Sequence, residues 1–370
     1  MKIIRTLMGI GVIIGMAVAC KEEPPPPPKP APIASNGAAT RAAPNTAASA
    51  APARVAAARV SDATVKQYRV EACYYGALGL TKARDAYLKS LGGAAPSKTK
   101  LPSFGEFGPS AAGRPRGVLG MAPMPFARYI GACTVAKNRT QPAYATVDPA
   151  VATFEPFARK LNRLMMEASR YYQQKTYEKD GMKRGLELHA ELTAAFNDLA
   201  PQLAELGKAI QPWQDKLPAP SEKLSKSGEL AVPAIAEARK LVRLFIADER
   251  DTTATKTQYD ATAAAIAKLA EYSQKAPTEP HIARVLPQLQ QLMKAAAGLL
   301  QEKGTLDSDQ RYRLTSTMAT IVDAHHRAIQ AGLRSNLVHK RGAPLHRMNR
   351  RIDPGQLRHQ LRLPRKAPAP

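Results

Sequence analysis

Aromatic side chains make up only 5% of this chain, and Trp213 is its single tryptophan. A core with so few rings has to be filled by Ala, Leu and Val, a mixture suited to close-packed helices rather than a large sheet. No segment alternates apolar and polar residues convincingly enough to read as a strand. Cysteine is scarce, with three in 370 residues and none in CxxC spacing, which excludes a cysteine metal cluster or a dithiol redox motif. The chain also lacks HExxH, a Walker loop, GxGxxG and GxSxG. With no such signature, the expectation is a protein that is not an enzyme and has no cofactor or metal. Acids are the minority charge: 30 Asp and Glu face 54 Lys and Arg, a net charge of +24. That surplus predicts either affinity for anionic surfaces or a basic surface that serves solubility.

Long apolar runs are missing too. Leu7 to Val18 falls short of the roughly 20 residues that span a bilayer, yet it follows the basic start Met1-Lys2-Ile3-Ile4-Arg5. This reads as an export signal over residues 1–19. It ends at Ala17-Val18-Ala19-Cys20, which resembles the lipobox of bacterial lipoproteins. The resemblance implies acylation of Cys20, with palmitate among the acyl groups, and a chain anchored to a membrane rather than spanning it. Lys21 after Cys20, in place of Asp, implies the outer membrane under the sorting pattern of enteric lipoproteins, with the chain facing the periplasm.

Residues 20–60 hold the run Pro24 to Pro28 and then mostly Ala, Pro, Asn, Ser and Thr. Such a segment buries too little apolar surface to offset its ordering entropy, so a disordered Pro/Ala-rich linker is expected. Helical periodicity begins at Ser61 or Asp62 and runs through Val65, Tyr68, Ala72 and Tyr75 to Leu91, before Gly92-Gly93. Residues 94–149 are rich in Gly, Pro, Ser and Arg and read as an insertion or long loop. Cys73 and Cys133 are left after Cys20 is acylated; in an oxidising periplasm they pair as one disulfide, or else remain two buried thiols.

A periodic run from Phe157 to Tyr171 leads into the corner Tyr171-Tyr172 to His189. Asp180 is placed to cap the next helix, whose apolar stripe is read as Met182, Leu186, His189, Thr193, Phe196, Leu199 and Leu203, with Leu188 and Leu192 widening it. Gly185 within it costs about 1 kcal/mol in propensity, which predicts a close contact on that side. Pro201 is expected to kink or restart the helix, and Gln211 to Pro220 to form a turn. Further helices follow from Ser221 to Arg250, Thr255 to Gln274, His281 to Lys303 and Asp307 to about Val338. The fold expected over residues 61–338 is all-α, a multi-helix bundle.

Tyr171, Tyr172, Tyr177, Asp180, Gly185 and His189, with the helical run before them, resemble the YiiG-like family of bacterial lipoproteins. The resemblance covers roughly Val60 to Val338. It implies an envelope address and a helical domain of unknown function, and it brings no catalytic residue. The Gly/Pro insertion and the basic tail depart from the family's pattern.

Past Val338, residues 339–370 carry Lys340, Arg341, Arg347, Arg350, Arg351, Arg358, Arg362, Arg365 and Lys366 against the single acid Asp353. This reads as a disordered basic tail, either a binder of an anionic polymer such as lipopolysaccharide or an extension without a role; no specific nucleic acid is predicted. His325 and His326, adjacent on a helix, point about 100° apart and serve one ion poorly. His189 reads more readily as a packed histidine than as a ligand.

Three functions stay open at this point. The first is a non-enzymatic envelope lipoprotein anchored through Cys20 that binds or organises an envelope protein, with Tyr171, Tyr172 and Tyr177 as the candidate binding surface. The second is a ligand- or metal-binding bundle that joins His189 to His325 or His326 in one pocket. The third is a polyanion binder acting through the tail.

Overall fold

The computed structural model describes residues 59–105, 123–218, 220–302 and 304–340. The signal sequence, Cys20, the Pro/Ala-rich linker up to residue 58, residues 106–122 of the insertion and the tail beyond Lys340 lie outside them. The described residues form an all-α bundle with no strand; one isolated bridge joins Ser97 and Lys100.

The first expected helix is two, α1 (Asp62–Leu78) and α2 (Leu80–Leu91). Ser61 caps α1 through its hydroxyl, and Gly92, in the left-handed conformation, ends α2. The break falls at Gly79, where a Cβ would stand 3.1 Å from both Phe126 and Tyr312, so close packing sets the angle there.

The stretch read as a long loop contains α3 (Pro123–Asn138), which packs along α1. Its composition conceals it: Pro and Gly weaken its propensity, and tertiary contact supplies the rest. Cys73 of α1 and Cys133 of α3 are joined in a buried disulfide with Cα atoms 4.7 Å apart. Closing a loop of 60 residues, it stabilises the fold by about 4 kcal/mol on chain-entropy grounds. Lys66 of α1, fully buried, donates to Asp148 Oδ2 at 2.8 Å and to the Pro142 carbonyl at 2.6 Å, which fixes the chain leaving α3.

The central pair is α4 (Val147–Gln173) and α6 (Lys183–Asp215), separated by the single turn α5 (Tyr177–Asp180). Contrary to the expected restart, α6 runs through both Pro201 and Pro212, and Trp213 is helical. Each proline forfeits one backbone bond, but Leu199, Leu203, Leu206 and Ile210 remain buried along one side and hold the helix. Its buried face is Leu188, Leu192, Ala195, Phe196 and Leu199; Leu186, read as part of the stripe, is 46% exposed.

α7 (Lys226–Ile246), capped by Ser225, also passes a proline, Pro233. α8 (Thr252–Ser273) is capped by Asp251 and packs on α7. The next expected helix is divided into α9 (Pro280–Arg284) and α10 (Leu286–Ala297), because Pro287 begins a new first turn. α11 (Ser308–Lys340) closes the bundle against α1, α7, α9 and α10.

Candidate functional site

Tyr171, Tyr172 and Tyr177 are not a binding surface. Each is buried, and their rings pack on one another at 4.9–6.4 Å. Tyr171 donates to Asp180 Oδ1 at 2.8 Å, and Tyr172 to the Gly185 carbonyl at 3.3 Å. Burial, and then the bond to Asp180, push the Tyr171 hydroxyl up to about 12, so it stays protonated. Asp180 also accepts from the Met182 and Arg184 amides at the start of α6. At Gly185 a Cβ would meet Tyr171 Cε1 at 2.9 Å, which is the close contact its propensity cost pointed to. The corner is a packing device between α4 and α6, since rings large enough to bind were needed to fill a core poor in aromatics.

The cavity lies elsewhere. Three helices each turn one face toward a common space of about 120 Å³. α1 contributes Thr64, Gln67, Tyr68 and Glu71; α7 contributes Val232, Ile235, Ala236 and Arg239; α11 contributes Val322, His325, His326 and Ile329. Every set follows i, i+3, i+4, i+7, the spacing that aligns four side chains on one side of a helix. Gln214 and Asp215 at the end of α6, with Leu217, Pro218 and Pro220, complete the wall. Glu222 is tied to the start of α1, accepting from the Ser61 amide at 2.6 Å and the Thr64 hydroxyl at 2.7 Å.

Glu71 and Arg239 are the charged pair of this space. Arg239 Nε donates to Oε1 at 2.6 Å and Nη2 to Oε2 at 2.8 Å, with both side chains nearly out of water. Gln214 Nε2 adds a donor to Glu71 Oε1 at 3.0 Å and another to the Tyr75 hydroxyl at 3.2 Å. Burial opposes the charge on Arg239, but Glu71 outweighs it and holds the guanidinium above its ordinary range. A buried ion pair persists only when its remaining hydrogen-bonding positions are filled, and Gln214 fills one of them.

Beside the pair, His325 Nδ1 meets His281 Nε2 at 3.2 Å. Burial, then the neighbouring His281, Arg239 and His326, push His325 down to about 3. Burial takes His281 down to about 4 against the pull of Glu279. Both imidazoles are therefore neutral at neutral pH, and one donates to the other. His281 Nδ1 is buried without a partner, packed on Gly228. A bare lone pair there costs less than an orphaned N–H, so His281 carries its proton on Nε2 and donates it. His325 then accepts through Nδ1 and carries its own proton on Nε2. His326 stacks on Tyr68 with ring centroids 4.3 Å apart, and burial lowers it as well.

His189 does not join them. It does not line the cavity but sits at the contact of α2 with α6, where its Nδ1 meets the Tyr87 hydroxyl at 3.1 Å. The pocket expected to unite His189 with His325 or His326 is thus replaced by a pairing of His325 with His281. Among the described residues no group of three or more His, Cys, Asp or Glu is arranged to hold a metal.

Sequence reasoning passed over Glu71, Gln214, Arg239 and His281. A usable signal existed in one case: Arg239 falls at helical spacing on the stripe of Val232, Ile235 and Ala236, where a solvated charge does not belong. The model of a family of proteins of unknown function, DUF3829, matches residues 129–331. The chain belongs to the DUF3829 family. No curated protein and no solved structure matches the chain. The DUF3829 segment contains α4 to α10, and with them Arg239 and His281, together with most of α11, including His325 and His326. The α1 side of the cavity, with Tyr68 and Glu71, precedes it.

Proposed function

We propose that this DUF3829 protein is a YiiG-like envelope lipoprotein with a non-enzymatic binding role, anchored through acylated Cys20 to the outer membrane and facing the periplasm. The Pro/Ala-rich linker gives the helical domain reach from the lipid surface. The observation that carries this reading is the buried Cys73–Cys133 disulfide, which belongs to an oxidising compartment outside the cytosol and agrees with an exported chain. The cavity between α1, α7 and α11 supports a binding role over catalysis: its acids are engaged by arginines and its histidines are held neutral within the helix packing.

The test is fractionation. The full chain should pellet with the outer membrane and take up labelled palmitate, whereas Cys20→Ala should do neither. A Cys20→Ala chain that stays wholly membrane-bound would refute the anchor.

A further inference from the structure

The bonding around the cavity leaves two donor positions open to it. Both oxygens of Glu71 are taken by Arg239, one of them also by Gln214. Both oxygens of Asp215 accept from Arg243, at 2.7 and 3.0 Å. Arg239 uses Nε and Nη2 on Glu71, which leaves Nη1 as the nitrogen it offers to the space it lines. His325 uses Nδ1 on His281, and the tautomer argued above leaves an N–H at Nε2. Val232, Ile235, Val322 and Ile329 form an aliphatic part of the wall, and Thr64, Gln67, Tyr68, Gln214 and His326 add polar groups to the rest. At about 120 Å³ the space is somewhat smaller than the roughly 150 Å³ cavity that accommodates benzene, so it takes about four to six heavy atoms.

Two donors lining one space, one of them a guanidinium, beside aliphatic side chains match a carboxylate that carries a short alkyl tail. We propose that the cavity between α1, α7 and α11 binds a small aliphatic monocarboxylate, its oxygens on Arg239 Nη1 and His325 Nε2 and its tail against Val322, Ile235 and Ile329. The assignment deepens the binding role proposed above and rests on it, but it is independent of the lipid anchor.

Butyrate, titrated into the purified full chain in detergent, is the probe. n-Butylammonium and butyramide are the cationic and neutral controls of similar size. Butyrate should bind and shift the His325 imidazole resonances, with each control weaker by at least about tenfold, the worth of a charge-assisted hydrogen bond. His325→Leu should abolish the preference for butyrate over butyramide. Ala236→Leu, which fills the space without touching a donor, should abolish binding of all three while the chain keeps its helical circular dichroism. Equal binding of butyrate and butyramide, preference for the ammonium, absence of butyrate binding, or full butyrate binding by folded Ala236→Leu would each overturn the assignment. The titration reads the same whether or not the cell acylates Cys20, so its failure is separate from failure of the anchor.

Discussion

The imidazole of His281 is 2% exposed, and its one charged attraction, to Glu279, does not offset the loss of water. Its pKa falls from an ordinary 6.5 to about 4 on folding, and that of its partner His325 to about 3. The unfolded chain therefore binds protons that the folded chain refuses, and stability falls with pH. The contribution is complete above pH 6.5 and is lost as pH drops from there toward 4. For His281 alone the loss between pH 7 and pH 5 is about 2 kcal/mol. His325, His326 and His189 shift in the same direction. Urea unfolding at the two pH values should show this decline, and His325→Leu, which removes one of the titrating groups, should make it shallower. An unchanged decline in that variant would mean that other groups carry the acid sensitivity.

Among the described glycines, the closest approach is where α1 meets α3. A Cβ on Gly76 would lie 2.0 Å from Cγ of Tyr129, a ring carbon that cannot give way by rotation, so only glycine lets the two helices meet there. The helix propensity of alanine favours Gly76→Ala by about 1 kcal/mol, but overpacking of this kind costs about 1–3 kcal/mol. The overpacking should win, and Gly76→Ala should lower the thermal midpoint. Gly131→Ala on α3, with nothing within 4 Å of the new methyl, should raise it instead. Equal effects of the two substitutions would mean that the α1–α3 contact relaxes freely.

These helices also show where local reading works and where it fails. The runs from Phe157 to Tyr171 and from Thr255 to Tyr272 were legible because apolar residues repeat every three or four positions over several turns. α3 was not, since Pro123, Pro125 and Gly131 mask it and its disulfide and contacts with α1 supply the missing support. The continuity of α6 through Pro201 and Pro212 escaped for the converse reason: a local breaker was overruled by a buried face.

Across the whole chain the charge is uneven. The net +24 owes much to the block from Lys340 to Lys366, opposed there only by Asp353. We propose that this block is the part of the protein that meets anionic polymers, because clustered cations displace condensed counterions together. A chain ending at Lys340 should elute from heparin at markedly lower salt than the full chain. Elution at the same salt would remove the tail from any account of a partner.

The sequence by itself determined that the domain is helical, where most helices lie, and that Gly185 must face a close neighbour. Periodicity, caps and propensity act over a few residues, so the chain displays them locally. Only the tertiary structure decided that Tyr171, Tyr172 and Tyr177 are core, that His189 and His325 stand apart, and that Glu71 and Arg239 meet across 168 residues of sequence. Each helix of the cavity presents an ordinary i, i+3, i+4, i+7 face. Which faces turn toward one another is settled by packing between distant segments, and that is not written in any one stretch.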